Sequence, residues 1–266
     1  MCGVCGAYFP WRQSFESSVV VREMASTLGH RGPDRSAIWV AGDGLVAFGH
    51  TRLAVVDLSE AGYQPMTSAD GRWTITYNGE LYNADNLRRH LHGVDWRGHS
   101  DTEVLVEYIA RHGVPAVLKA AEGMFAFGCW DARELELWLA RDRFGEKPLY
   151  YGIHDGALLF ASELKALRAV PGFSPEIDRR ALEEYFCWGN IPAPLTIYEG
   201  VSKLPPAHYL RFGQSAATLE PQPYWSAQDV AVSAQDIRDD IDAVDRLGDA
   251  LDRAVGAQMV ADVPLG

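Results

Sequence analysis

The stretch MFAFGCWDARELELWLARDRFGEKPLYYGIHDGALLFAS, residues 124–162, decides the fold. It contains four runs rich in aromatic, aliphatic and β-branched residues, and short polar turns separate each run from the next. The runs are Met124 to Trp130, Leu135 to Arg141, Leu149 to Ile153 and Leu158 to Ser162. This spacing predicts a meander of antiparallel strands.

Strand and helix signals also alternate in blocks on the N-terminal side of that stretch. Further strands are predicted at Gly3 to Phe9, Ser36 to Val40, Leu45 to His50 and Trp73 to Tyr77, and a helix at Phe15 to Leu28. A second helix is predicted to begin at Ser100, because Ser100 and Glu103 have the spacing of a capping box. Two antiparallel sheets, each covered by helices, satisfy this order. The expected fold class is therefore α+β, a four-layer αββα sandwich.

The composition excludes several classes of partner. Lys and Arg number 24 against 36 Asp and Glu, which gives a formal charge of -12. Because phosphate binding needs clustered basic residues, we expect neither nucleic acid nor an anionic membrane as a partner. No apolar run approaches the roughly 18 to 20 residues that span a bilayer, and residues 1–11 lack the basic flank of a signal peptide. Four cysteines in 266 residues do not make a disulfide framework, so we expect a cytoplasmic protein with reduced thiols.

A change in composition after Pro205 indicates where the first domain ends. Residues 214–235 are rich in Ala, Ser, Gln and Pro, and an acidic run then leads into a helical pattern. We expect a first domain over residues 2–212, a linker over 213–239, and the first helix of a truncated second domain over 240–266. Apolar residues recur along that helix at Ile241, Val244, Leu247, Leu251, Val255 and Met259. Nothing later in this sequence covers the stripe, which is why we assign it to a second domain.

Cys2 is the first candidate for chemistry. It follows Met1 directly, and removal of Met1 before a small residue would place a thiol and a free α-amine on one residue. The two groups have similar ordinary pKa values, about 8.5 and about 7.7 to 8.0, so the amine can serve as base for the thiol. Cys2 could equally be an incidental buried thiol, or half of a redox or zinc pair with Cys5. On Cys2 alone these alternatives stay open.

Several motifs, of which the first contains Cys2, occur along the chain in a consistent order. They are Cys2-Gly3-Val4-Cys5-Gly6, His30-Arg31-Gly32-Pro33-Asp34, Thr51-Arg52-Leu53, Tyr77-Asn78-Gly79-Glu80-Leu81, Ser100-Asp101-Thr102-Glu103 and Arg141-Asp142-Arg143-Phe144-Gly145-Glu146-Lys147-Pro148. Together they closely resemble the class II glutamine amidotransferases, and within them the asparagine synthetase branch. The resemblance covers essentially the whole chain and implies the fold of N-terminal nucleophile hydrolases.

The resemblance implies that Cys2 is the nucleophile and that Asn78 and Gly79 form an oxyanion hole. The Asn78 side-chain amide and the Gly79 backbone N–H would together stabilise charge on the attacked carbonyl. Asn-Gly is also the strongest hairpin-turn dipeptide, so we expect a structural role for Asn78-Gly79 beside the catalytic one.

The resemblance also implies how glutamine is held. Arg52 would bind its α-carboxylate through a planar pair of donors, and Asp101 would bind its α-ammonium with Glu80 as a second acceptor. Each has a simpler interpretation, since Arg52 could be a surface charge and Asp101 could favour a helix N-terminus. Arg31, Asp34 and residues 141–151 are interpreted as structural, and no chemistry is assigned to them.

The implied activity is hydrolysis of glutamine to glutamate and ammonia, with no metal or other cofactor. In complete family members a synthetase domain uses this ammonia and MgATP to amidate a carboxylate, which is aspartate in asparagine synthetase. The family's ATP-binding loop follows a stretch like residues 262–266, so the resemblance places the MgATP site beyond this sequence. Two alternatives stay open, namely a different carboxylate acceptor and a catalytically inactive regulatory domain. Expected partners are glutamine, the synthetase domain of the full-length chain and a second copy of the chain in a homodimer.

Overall fold

The computed structural model describes residues 1–10, 17–213, 219–232, 237 and 239–264. The strands are β1 (Gly3–Tyr8), β2 (Arg35–Val40), β3 (Val46–Arg52), β4 (Met66–Thr67), β5 (Trp73–Leu81), β6 (Gly123–Asp131), β7 (Glu136–Arg141), β8 (Tyr150–His154), β9 (Ala157–Ala161), β10 (Val201–Lys203), β11 (His208–Gly213) and β12 (Gln222–Pro223). The α-helices are α1 (Ser17–Ser26), α2 (Ala84–Arg89), α3 (Asp101–His112), α4 (Val114–Ala120), α5 (Leu164–Arg168), α6 (Arg179–Trp188), α7 (Ala227–Val232) and α8 (Asp240–Ala257).

The strands of the described residues form two antiparallel sheets. The first has the order β10-β8-β9-β1-β3-β2, and the second has the order β12-β11-β7-β6-β5-β4. Helices α1 and α5 pack on the outer face of the first sheet, whereas α3 and α4 pack on the outer face of the second. The predicted α+β sandwich of four αββα layers is thereby confirmed.

The four layers of the described structure enclose three hydrophobic clusters, and the side chains of strand β1 belong to two of them. Val4 and Tyr8 face the second sheet and pack with Trp130, while Cys5 and Ala7 face the α1 layer. Successive side chains of a strand point to opposite faces, and both faces of this central strand are covered. Every residue of β1 is therefore buried, and Cys2 lies just before the point where the strand enters the core.

The ring of Phe160 fills the space between the two sheets. A Cβ added to Gly6 in the first sheet would lie 2.5 Å from this ring, and a Cβ added to Gly128 in the second would also lie 2.5 Å from it. Glycine at both positions lets the sheets approach closely enough to enclose an aromatic side chain.

We expect Gly128→Ala to lower the free energy of unfolding by about 1 to 3 kcal/mol, because the added methyl group overpacks a core without free space. Urea denaturation measures this loss. Gly42→Ala is the matched control, since a Cβ there meets no atom of the described residues within 4 Å, and its effect should stay within about 0.5 kcal/mol. Equal effects of the two substitutions would contradict the proposed close packing.

The prediction of a hairpin turn at Asn78-Gly79 was wrong. Both residues lie inside β5, where Asn78 pairs with Ala126 and Gly79 pairs with Phe125 of β6. Glycine is required at position 79 for a different reason, since a Cβ there would lie 2.4 Å from the Met124 carbonyl oxygen. Close approach of two strands, rather than a turn, explains this dipeptide.

The capping prediction at Ser100 was correct in one half. Ser100 Oγ accepts a hydrogen bond from the Glu103 N–H at 3.3 Å, at the start of α3. The Glu103 carboxylate does not return this bond. It accepts instead from the N–H groups of Arg97 and Gly98, at 2.9 and 3.0 Å, and so fixes the loop before the helix.

The division into domains stays a prediction. Parts of the expected linker, residues 214–218, 233–236 and 238, lie outside the described residues. The described parts of the linker contain β12, which pairs with β11, and α7. Helix α8 presents the predicted apolar stripe to solvent, with Ile241 74% exposed. None of the helices in the described ranges combines the length and the apolar character needed to cross a membrane.

Candidate active site

A cavity of about 190 Å³ lies where β1, β3 and β5 meet the start of α3. Its lining includes Met1, Cys2, Arg52, Leu53, Val55, Val56, Tyr77, Asn78, Gly79, Glu80, Asp101, Met124 and Lys147. Sites for drug-sized ligands measure roughly 300 to 1,000 Å³, so this cavity suits a smaller metabolite. It brings together all six residues that the sequence singled out.

The Cys2 thiol is held against the end of β3. The Leu53 N–H donates to Cys2 Sγ at 3.4 Å, and the thiol faces the Leu53 carbonyl oxygen at 3.6 Å. Glycine at position 3 permits this placement, because a Cβ there would lie 2.5 Å from Thr51 Oγ1. Burial raises the pKa of the Cys2 thiol. The thiol therefore needs a base before it can act as a nucleophile near neutral pH.

Asn78 offers the cavity a hydrogen-bond donor. Its side chain is only 2% exposed, and its Nδ2 has no hydrogen-bond partner among the described residues. A buried unpaired donor costs about 1 to 3 kcal/mol, so such groups are rare and call for an explanation. A hydrogen-bond acceptor that forms transiently in the cavity would explain why this donor is held there unpaired.

Arg52 forms the basic end of the cavity. It is 5% exposed, and its guanidinium donates to the backbone carbonyls of Val56, Asp57 and Ser59. These acceptors are neutral, and among the described residues no carboxylate forms an ion pair with Arg52. The positive charge is therefore positioned without being neutralised.

Glu80 and Asp101 form the acidic end of the cavity. Asp101 Oδ2 accepts from the Tyr77 hydroxyl at 2.8 Å and from the Leu81 N–H at 3.0 Å, while Glu80 Oε1 is buried without a partner in the described ranges. Burial, together with the charge of Asp101, raises the pKa of Glu80. Burial also raises the pKa of Asp101. Both shifts indicate carboxylates that a bound cation would stabilise.

The two ends carry opposite charges. The charge of Arg52 would complement an α-carboxylate, and the charges of Asp101 and Glu80 would complement an α-ammonium, in the cavity that Cys2 and Asn78 also line. Charged groups at both ends would orient the ligand before reaction.

Two residues near the N-terminus, Arg31 and Lys147, were interpreted from the sequence as structural and were assigned no chemistry. Arg31 Nε donates to the Cys2 carbonyl oxygen at 2.9 Å, and its Nη1 donates to Glu163 Oε1 at 2.9 Å. Lys147 lines the cavity and its Nζ lies 3.5 Å from Met1 Sδ. Both belong to recognisable motifs, but nothing in the local sequence indicates that they reach the N-terminus.

Cys5 is separated from Cys2 by its position in β1. Its Sγ lies 3.8 Å from the Gly49 carbonyl oxygen and 3.9 Å from that of Val21, and burial raises the pKa of Cys5 to about 12. Cys2 and Cys5 are both free thiols. Across the described ranges, no group of three or more His, Cys, Asp or Glu side chains is arranged to hold a metal ion.

Comparison with known proteins identifies the relatives of this chain. The family described as "Glutamine amidotransferase domain" matches residues 1–225. Asparagine synthetase [glutamine-hydrolyzing] 3 of Bacillus subtilis is 38% identical, over 100% of this chain and 42% of its own length. Amidase chry2 of Gibberella zeae is 34% identical, over 94% of this chain and 37% of its own length. The chain thus spans about two fifths of the length of these curated relatives.

The fold has relatives among solved structures. A glutamine phosphoribosylpyrophosphate amidotransferase from Bacillus subtilis aligns with a TM-score of 0.61 and 21% identity, covering 84% of this chain and 49% of that one. This likeness supports the αββα sandwich. The family match over residues 1–225, with the 38% identity to the asparagine synthetase, shows that the chain belongs to the class II glutamine amidotransferase domains.

Proposed function

We propose that this chain hydrolyses glutamine to glutamate and ammonia, with Cys2 as the nucleophile. The observation that carries the proposal is the buried Asn78 Nδ2, which has no hydrogen-bond partner in the described part of the chain and lies in the cavity that also holds the Cys2 thiol. An amide carbonyl placed between them would meet both a nucleophile and a donor for its oxygen. Gly79 supplies the second donor through its backbone N–H.

The reaction begins once removal of Met1 frees the α-amine of Cys2. Burial lowers the pKa of the Met1 amine at the same cavity, and desolvation of the Cys2 amine would likewise favour its neutral, basic form. This amine accepts the thiol proton, and the thiolate attacks the side-chain carbonyl carbon of glutamine. The C–N bond then breaks, the amine returns its proton to the leaving nitrogen, and ammonia departs from a thioester. Water, deprotonated by the same amine, cleaves the thioester to glutamate and restores the thiol.

We further propose that the ammonia serves an asparagine synthetase reaction in a longer protein. The 38% identity to the Bacillus subtilis asparagine synthetase supports aspartate as the acceptor. MgATP would act only in the synthetase domain, and glutamine hydrolysis would need no cofactor. Assembly as a homodimer and a cytoplasmic location are part of the same proposal.

The proposal is tested on the purified chain by measuring glutamate and ammonia release from glutamine. A glutamine-analogue electrophile should inactivate it and, by peptide mapping, should be found on Cys2. Lack of glutamate release from protein whose N-terminus is verified as Cys2 would overturn the proposed function. Labelling of Cys187 in place of Cys2 would overturn the assignment of the nucleophile.

Arg52→Lys is expected to raise the glutamine KM roughly 10- to 100-fold with little change in kcat, since lysine keeps the charge but loses the planar pair of donors. Steady-state kinetics measure the two constants separately. Arg133→Lys is the control and should leave both constants unchanged, because the Arg133 side chain is 75% exposed and does not line the cavity. A change in kcat alone would contradict a carboxylate-binding role.

A further inference from the structure

Asp262 lies beyond residues 1–225 that match the amidotransferase family, yet it contacts the wall of the glutamine cavity. Its N–H donates to the Val55 carbonyl oxygen at 2.9 Å. Its Oδ2 accepts from the Asp57 N–H at 2.7 Å and lies 2.7 Å from His99 Nε2. Asp262, which follows α8 in the sequence, therefore contacts two segments that lie more than 160 positions before it, one around Asp57 and one around His99.

The first of these segments, residues 55–59, sets the position of Arg52. Within the described ranges, all three acceptors of the Arg52 guanidinium are backbone carbonyls of this segment. Its turn includes Asp57 with a φ of 54°, in the left-handed region that non-glycine residues seldom adopt. Such a backbone needs fixed partners to persist, and Asp262 supplies one of them through the Asp57 N–H.

The second segment leads to the acidic end of the cavity. His99 stands two residues before Asp101, and its N–H donates to Asp57 Oδ2 at 2.8 Å. This hydrogen bond connects residues 55–59, which position Arg52, with the loop that leads into Asp101. Asp262 bonds to both Asp57 and His99.

We propose that Asp262 is a positioning residue for glutamine binding, which holds Arg52 and Asp101 at the spacing that an amino-acid head requires. This inference rests on the proposed glutamine hydrolysis. Asp262 does not line the cavity, so it would act on the glutamine site through residues 55–59 and His99 and not by touching the substrate. The role belongs to binding, so it should appear in KM and leave kcat nearly unchanged.

The charges around His99 give this contact a pH dependence. The hydrogen bond to Asp262 raises the pKa of His99, as do the charges of Asp57 and Asp262, while burial and Arg88 oppose the rise. The contact between protonated His99 and the Asp262 carboxylate is fully formed below pH about 6.5, the ordinary pKa of histidine. It weakens as the pH rises through the raised pKa of His99. The His99 hydrogen bond in turn lowers the pKa of Asp262, so the carboxylate stays ionised over this range.

The test compares Asp262→Ala, Asp262→Asn and His99→Gln with the parent chain in glutamine kinetics. We expect Asp262→Ala to raise KM roughly tenfold, from the loss of hydrogen bonds to a charged group, with kcat within about twofold. Asp262→Asn keeps an acceptor oxygen and should show a smaller rise. For His99→Gln, the ratio of its KM to the parent KM should be larger at pH 6 than at pH 9.

Asp249→Asn, an exposed carboxylate on α8, is the control and should match the parent. The positioning role would be overturned if Asp262→Ala and His99→Gln, both folded, had the same glutamine KM as the control. A fall in kcat without a rise in KM would overturn it as well. An inactive parent would instead overturn the proposed function, which separates the two failures.

Discussion

Cys2→Ala should abolish glutamate release, by on the order of 10⁴-fold or more, while leaving the fold intact. Removal of a nucleophile eliminates the covalent route, and the remaining binding groups supply only a small residual rate. The side chain precedes β1 and contributes no core packing, so thermal denaturation should be nearly unchanged. Cys187→Ala is the matched control, because this exposed thiol lies on α6 and should be replaceable without loss of activity.

The same assay separates the thiol of Cys2 from its amine. A chain that retains Met1 keeps the thiol, but its Cys2 nitrogen is an amide that cannot accept a proton. Met1 also lines the cavity beside Lys147. We therefore expect the Met1-retaining form, verified by intact mass, to be as inactive as Cys2→Ala. Full activity of that form would rule out the amine as the base.

The strands could be predicted from local pattern because alternation and turn residues are local signals. Leu149 to Ile153 was predicted where β8 is Tyr150–His154, and Leu158 to Ser162 where β9 is Ala157–Ala161. The bounds differ by one residue, since pairing with a neighbouring strand, rather than composition, determines where a strand ends. The fold class is insensitive to such shifts.

Asn78-Gly79 shows where local preference loses to tertiary structure. The dipeptide favours a turn in isolation, but its nine-residue strand pairs with β6 along its whole length. The cross-strand bonds and the buried surface on both sides outweigh the turn preference. The catalytic expectation for Asn78 came from the family resemblance, not from this local signal.

The contacts of Arg31 and Asp262 could not be predicted from sequence pattern. Arg31 reaches Cys2 across 29 positions and Asp262 reaches Asp57 across 205. Neither spacing follows a strand or helix period, so no pattern marks the pairs. The resemblance indicates which residues meet in the cavity, while the supporting contacts depend on how the loops pack around it.

Asn78→Ala is expected to lower kcat roughly 10²- to 10³-fold with KM within a few-fold, as removal of one oxyanion donor typically does. The donor matters chiefly after the carbonyl oxygen becomes negative, so its loss weakens binding of the transition state more than binding of glutamine. Stability should not fall appreciably, because the lost amide nitrogen has no partner in the described structure.

Two further variants sharpen this prediction. Asn78→Asp keeps the size of the side chain but replaces the donor with a carboxylate, so repulsion of the developing oxyanion should lower kcat below that of Asn78→Ala. Asn86→Ala, at an exposed asparagine on α2, is the control and should leave both constants unchanged. If Asn78→Asp instead retained more activity than Asn78→Ala, the side chain would act through its shape, and the donor role assigned to Asn78 Nδ2 would be wrong.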